Sequence, residues 1–351
     1  MSDTLDSSLA EQVKQAYQNK QPLKISGGGS KSSLGHAVTG DELCLQPYQG
    51  IINYEPSELV ITARAGTPLH LIEEALAEEG QILGFEPPRY GTQATLGGTI
   101  ACALSGPRRP YSGAARDFVL GCRMINGKGD ILNFGGQVMK NVAGYDVSRL
   151  MCGAQGTLGV LLDISLKVIP RPQLERTLSL HKNEAQARAL LNDLGRQPLP
   201  ISATCFQDDL LNIRLSGSES AVTAAAKKIG GDLQAEDTQL WQQLRDQQHP
   251  FFKQPSLWRL SLSPATLSLP EDIVEQQLIE WGGAQRWITS QEGPDKIWDL
   301  ARSLGGHATL HRANDSLRQP LEDGLFKLSQ QLRHSFDPER ILNPGRLYPT
   351  L

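Results

Sequence analysis

From Val160 to Val168 every even-numbered position is apolar (Val160, Leu162, Ile164, Leu166, Val168), while Asp163, Ser165 and Lys167 alternate with them. A period of two marks a half-buried strand. Directly upstream lies Cys152-Gly153-Ala154-Gln155-Gly156-Thr157-Leu158-Gly159, a G-x-x-G-x-x-G spacing that runs into this strand. The Rossmann fingerprint instead reads G-x-G-x-x-G and opens a helix. The chain is therefore not expected to take the usual dinucleotide-binding fold.

Two further glycine-rich segments precede this one. Ile25-Ser26-Gly27-Gly28-Gly29-Ser30-Lys31-Ser32 follows the short strand Leu23-Lys24-Ile25, which Pro22 introduces. Glycines let successive backbone N–H groups point into one concavity and hold an anion such as a pyrophosphate. Lys31-Ser32 mimics the end of a nucleoside-triphosphatase loop, but that motif needs glycine where Ile25 and Ser30 stand, so an ATPase is excluded. The alternative is a flexible surface turn. The second segment contains Pro87-Pro88, then Ala94-Thr95-Leu96-Gly97-Gly98-Thr99, then Ser105-Gly106-Pro107-Arg108-Arg109. Small residues there allow a planar ligand to lie against backbone, with Thr95 and Ser105 as hydrogen-bond donors. Alternatively, Gly97-Gly98 only lets a helix pack closely, and Arg108-Arg109 is a solvated basic pair.

Elements around these segments follow from spacing. Leu9, Val13, Ala16 and Tyr17 share a helical face, and strands are expected at 51–54 and 59–63. A helix then opens with Thr67 as N-cap and Pro68 at its first position, buries Leu69, Ile72 and Leu76, and ends at Gly80. Pro170-Arg171-Pro172 breaks the pattern, and glutamine-rich, helix-forming sequence follows, so the domain boundary is placed there. Helices near 184–194 and 220–229 and a strand pair near 201–215 indicate a second α+β domain. A final helix sets Leu321, Leu325, Leu328 and Leu332 at helical spacing.

A length of 351 residues suits two cores. Lys+Arg of 34 against Asp+Glu of 38 gives a net charge of -4 with no basic stripe, which argues against nucleic acid. The five cysteines are dispersed, without a C-x-x-C pair, and read as buried residues kept reduced in the cytoplasm. No iron–sulfur ligand pattern is present. The acidic N-terminus does not read as a signal peptide, and no run is long enough to span a membrane.

In this order the segments resemble the FAD-binding domain of the vanillyl-alcohol-oxidase and p-cresol-methylhydroxylase (PCMH) superfamily over residues 1–172. More narrowly, Tyr54 to Leu59, Thr95 to Gly98, Ser105 to Arg109, Lys140-Asn141-Val142-Ala143-Gly144-Tyr145-Asp146 and the terminal run Phe336 to Arg346 resemble the FAD-binding subunits of bacterial glycolate oxidases. The resemblance implies an α+β fold: a PCMH-type FAD-binding domain of two α+β subdomains (1–172), a smaller α+β cap domain (173–335), and a C-terminal segment (336–351) that returns to the first domain. It implies non-covalent FAD, because Ser32-Ser33-Leu34-Gly35 before His36 departs from the pattern for histidyl attachment. Ser26, Gly27, Gly28, Gly29 and Ser30 would hold the pyrophosphate. Pro88, Thr95, Leu96, Gly97, Gly98, Ser105 and Gly106 would line the flavin, and Gly153, Gly156, Thr157, Gly159 and Val160 the adenine and phosphate end. The implied partners are a larger FAD-linked glycolate oxidase subunit, an iron–sulfur subunit and a small 2-hydroxy acid, with any membrane contact made through those partners.

The resemblance thins in the second domain. The cap-domain motif of His, Gly, Asp and Asn that binds metal and substrate in larger relatives is missing, so no metal is expected. The nearest cluster is His307, His311 and Arg312, offering a base and a carboxylate clamp. The same residues alternate with Ala308 and Leu310 as an ordinary strand would. The implied function is the FAD-binding subunit of a heteromeric glycolate dehydrogenase; the alternative is a non-catalytic scaffold on the same fold.

Overall fold

The computed structural model describes residues 2–136, 145–234, 237–312 and 316–351, excluding the side chains of residues 2–4, 237–238 and 312. The chain divides into unit 1 (Met1–Leu104, Ala114–Pro170 and Pro320–Leu351) and unit 2 (Ser105–Gly113 and Arg171–Gln319). Two stretches thus group otherwise than the sequence suggests: Ser105–Gly113 joins unit 2, and the last helix joins unit 1.

Unit 1 begins with helix α1 (Ser2–Asn19), whose Leu9, Val13 and Ala16 pack with Leu23, Leu43, Tyr48, Ile125, Val160 and Leu162. Strands β1 (Leu23–Ser26) and β2 (Asp41–Cys44) pair in parallel, Leu23 opposite Asp41. Parallel neighbours need a crossover. Here the crossover is the glycine loop and its continuation to residue 40.

The larger sheet of unit 1 contains β3 (Ile51–Glu55), β4 (Val60–Arg64), β6 (Val119–Ile125), β7 (Ile131–Gly135) and β8 (Val160–Lys167), with β5 (Gln81–Ile82) outside it. Its order is β3-β4-β8-β6-β7, with every neighbour antiparallel. Helix α2 (Leu69–Glu78) buries Leu69, Ile72 and Leu76 as the spacing requires. Its N-cap, however, is Pro68, without a side-chain cap; the Thr67 hydroxyl accepts from the Gly50 N–H at 2.9 Å and is thereby taken from the helix end. Helix α3 (Leu96–Cys102) is capped by Thr95, whose Oγ1 accepts from the Gly98 N–H at 3.3 Å. Unit 1 therefore combines helices with a small parallel sheet and a larger antiparallel one.

The strand expected to be half-buried is β8, and it is buried on both faces: Asp163 and Ser165 are 7% and 8% exposed. Its central position explains this, since the Ser165 hydroxyl pairs with that of Thr62 at 2.8 Å and the Asp163 carboxylate accepts from Tyr48 Oη (2.8 Å) and Arg123 Nη1 (2.6 Å). A buried carboxylate persists only with such partners. Of the cysteines, Cys122 and Cys205 are buried as expected, but Cys44 is exposed and Cys102 and Cys152 are half-buried. Leu325 and Leu328 of the last helix (Asp323–Phe336) are exposed, while Leu332 packs on the core.

Unit 2 is a nine-stranded antiparallel sheet. Helices Glu184–Leu194, Glu219–Ile229 and Pro294–Ser303 bury Ala187, Val222 and Ile297 on one face, and the helix Asp237–Arg245 puts Trp241 and Leu244 on the other. Beyond that helix, the second face carries Glu280, Gln285, Arg259 and His311, brought into register by strands Gln276–Glu280, Gln285–Thr289, Ser256–Ser261 and His307–Arg312.

Candidate functional site

Unit 1 contains a cavity of about 360 Å³ whose wall gathers the sequence's separate glycine segments. Ser26 to Ser30 supply one side, Thr95, Gly97 and Gly98 a second, and Gly156 and Gly159 a third. This volume lies in the range of small-molecule and cofactor sites, roughly 300–1,000 Å³. The loop's conformation depends on glycine at position 28, where a Cβ would lie 1.4 Å from the Gln93 carbonyl oxygen. Two buried polar groups also reach the wall. Lys31 is 6% exposed, with Nζ 5.6 Å from the Tyr90 ring centroid, and Gln155 is 5% exposed, its Oε1 buried without a hydrogen-bond partner. Charged wall residues are Lys24, Lys31, Arg346 and Glu42, and Ser26 Oγ donates to Glu42 Oε1 at 2.7 Å. The excess of cations suits a ligand carrying negative charge.

Other expected residues sit elsewhere. Leu96 and Val160 are core residues, 1% and 0% exposed, and Pro88 is buried. Thr157 donates its hydroxyl to the Ala154 carbonyl at 2.7 Å, and Gly153 turns the chain before it at φ +92. Ser105 and Gly106 belong to unit 2, where the Gly106 carbonyl accepts from Trp281 Nε1 at 3.2 Å. Lys140 to Gly144 lie outside the described residues; Tyr145 is exposed, and Asp146 caps the short helix Val147–Met151. Two wall residues that the sequence gave no role are Asn343 and Arg346, far downstream of the glycine loop.

In unit 2, Arg259 Nε donates to Gln285 Oε1 at 2.6 Å, with its guanidinium 5.2 Å from the Trp281 ring and 5.9 Å from that of Trp287. Arg109 stacks on the same Trp281 ring at 4.5 Å. Glu280 Oε2 accepts from Gln285 Nε2 and Trp287 Nε1, both at 2.9 Å, and burial pushes its carboxyl up to about 7. His311 lies 5.3 Å from the Trp287 ring with Nε2 buried and unpartnered. Burial, and then the charges of Arg259 and Arg318, lower its imidazole to about 3. His311 is thus neutral at ordinary pH and a weak proton acceptor. His307 is exposed on the same strand, and the Arg312 side chain lies outside the described residues. Among the described residues no group of three His, Cys, Asp or Glu side chains is arranged to hold a metal, and no helix is long and apolar enough to cross a membrane.

Residues 6–135 match the model of an FAD binding domain. The chain is 52% identical over 344 residues to glycolate oxidase subunit GlcE of Escherichia coli (strain K12), covering 98% of this chain and 97% of that protein. It is 30% identical over 218 residues to glycolate oxidase subunit GlcD of Bacillus subtilis (strain 168), covering 60% of this chain and 46% of that one. Among solved structures, an alkyldihydroxyacetonephosphate synthase superposes with a TM-score of 0.68 at 15% identity, covering 96% of this chain and 74% of the other, a likeness of fold.

FAD is the cofactor that the domain match implies, and the cavity fits it. It offers a glycine loop too tight for side chains at Gly28, an unpartnered buried amide oxygen on Gln155 and a surplus of positive charge for a dinucleotide's pyrophosphate. With near-complete alignment to one relative at 52% identity, the chain belongs to the family of the glycolate oxidase subunit GlcE.

Proposed function

We propose that this chain is an FAD-bearing subunit of a glycolate oxidase complex, in which electrons removed from a 2-hydroxy acid pass through its flavin to partner subunits. The observation that carries the reading is the convergence of three separate glycine segments on one cationic cavity in unit 1. Unit 1 is read as the FAD-binding domain and unit 2 as the cap. Backbone N–H groups of Ser26 to Ser30 would hold the pyrophosphate, with Lys31 close enough to neutralise part of its charge. Thr95, Gly97 and Gly98 would lie against the ring system, and Gln155, Gly156 and Gly159 would close the opposite wall. Bound FAD supplies the two-electron redox chemistry of glycolate oxidation to glyoxylate. The cofactor is held without a covalent bond.

In this reading the substrate chemistry depends on the partners, a larger FAD-linked subunit and an iron–sulfur subunit. Support comes from His311, one of the two histidines that the sequence offers as a base, whose Nε2 is buried and which burial and then two guanidiniums make a poor base. The deciding experiment reconstitutes the complex with the parent chain or with a Gly28→Val chain. The proposal expects glycolate-dependent dye reduction to fall in step with the FAD lost from this subunit. Full activity from an assembled complex whose Gly28→Val subunit is flavin-free would establish a scaffold role instead.

A further inference from the structure

We infer that the C-terminal turn at residues 343–346 is a clasp that holds the glycine loop in its binding conformation. Asn343 and Arg346 are then positioning residues for the dinucleotide. Affinity for the cofactor would depend on residues more than 300 positions downstream of the loop.

Asn343 directs its backbone N–H and both polar atoms of its side chain at the cavity's framework. Its backbone N–H donates to the Leu23 carbonyl at 3.0 Å, Oδ1 accepts from the Ile25 N–H at 2.8 Å, and Nδ2 donates to the Gln155 carbonyl at 2.8 Å. One side chain thereby ties β1, which leads into the glycine loop, to the loop before β8. Arg346 spreads its guanidinium over three carbonyls of the crossover: Nη1 donates to His36 at 2.8 Å, and Nη2 to Lys31 at 3.3 Å and Ser32 at 3.0 Å. Its own carbonyl accepts from the His36 N–H at 3.0 Å.

The contacts are close enough to require glycine on the other side. A Cβ on Gly35 would lie 2.5 Å from the Arg346 carbonyl oxygen, and one on Gly156 would lie 2.6 Å from Asn343 Nδ2. The clasp is itself anchored. Asp337, fully buried, accepts from the N–H groups of Ile341 (3.0 Å) and Leu342 (2.9 Å), and Arg333 Nη2 donates to the Leu342 carbonyl at 2.9 Å. Within the loop, the Ser32 N–H donates to the Gly29 carbonyl and the Leu34 N–H to the Lys31 carbonyl, both at 3.1 Å. A glycine loop ordered in advance by such contacts loses less conformational entropy on binding.

Only the affinity part of this inference rests on the FAD reading. The test compares the parent chain with Arg346→Met and Asn343→Asp, the latter keeping the acceptor for Ile25 while setting a carboxylate oxygen against the Gln155 carbonyl. Hydrogen–deuterium exchange on flavin-free protein is expected to quicken across residues 27–36 by at least about tenfold in both variants, with α1 and β8 unchanged. FAD affinity should fall about tenfold in parallel. Loop exchange within twofold of the parent would overturn the inference. So would exchange rising equally in α1 and β8, which would make these residues general stabilisers, or faster loop exchange with undiminished FAD affinity. A parent chain that binds no FAD would refute the proposed function, while the exchange comparison would still decide whether the clasp exists.

Discussion

Adding one methyl group at Gly28 probes the proposed pyrophosphate cradle most sharply. The Cβ of Gly28→Ala would fall 1.4 Å from the Gln93 carbonyl oxygen, where real Cβ contacts stay above 3.0 Å, so loop and turn must part by about 1.6 Å. The turn is held in place: the Ala94 carbonyl accepts from the Leu69 N–H at 2.8 Å, and the Leu96 N–H donates to the Thr67 carbonyl at 2.9 Å. The loop therefore moves, and its N–H groups lose their common aim. Overpacking of this kind costs about 1–3 kcal/mol. Charged against the binding-competent loop, that cost weakens FAD binding by about 5- to 150-fold. The assay is quenching of FAD fluorescence on titration with deflavinated protein, with thermal unfolding of the apo chain as a check on folding. A dissociation constant within twofold of the parent, in a folded chain, would refute the assignment of Gly28 to the cradle.

Asp163→Leu removes the acceptor shared by Tyr48 and Arg123. With Arg123 about one-third exposed and still bonded to Asp6, the loss should be about 2–3 kcal/mol, seen as a lower urea midpoint at unchanged m-value. Glu280 titrates near 7 in the fold against an ordinary carboxylate value of 4.5, so the native state holds the proton more tightly and its stabilising effect is lost as pH rises between these values. Glu280→Gln, whose single amide oxygen can accept from both Gln285 and Trp287, should flatten the fall in stability from pH 4.5 to 7 and raise the unfolding temperature at pH 8. An unchanged pH profile would show that Glu280 is not the group responsible.

Local signals in the sequence were legible where one element decides the outcome. The stripe Leu69, Ile72, Leu76 was found as a buried helical face, and the alternation from Val160 as strand β8. The alternation misled about Asp163, because burial of that carboxylate depends on Arg123 and Tyr48, 40 and 115 positions away. Thr67 misled for a similar reason, its hydroxyl being engaged by Gly50 across the turn. For the site, the glycine loops were readable because tight backbone leaves a compositional mark. Asn343 and Arg346 left only an Asn-Pro-Gly-Arg turn, and nothing in that run says which loop it holds. The neutral state of His311 depends on Arg259 and Arg318 from other strands, so its spacing alone suggested a base where the fold makes a weak one.

Whether unit 1 holds FAD without a covalent bond is decided by the visible absorption spectrum of the chain purified alone, incubated with FAD and desalted. Flavin bands corresponding to one FAD per chain are expected, with all the colour released to the supernatant on acid precipitation. A colourless protein after that incubation would contradict FAD binding, and colour remaining in the acid pellet would contradict the non-covalent attachment.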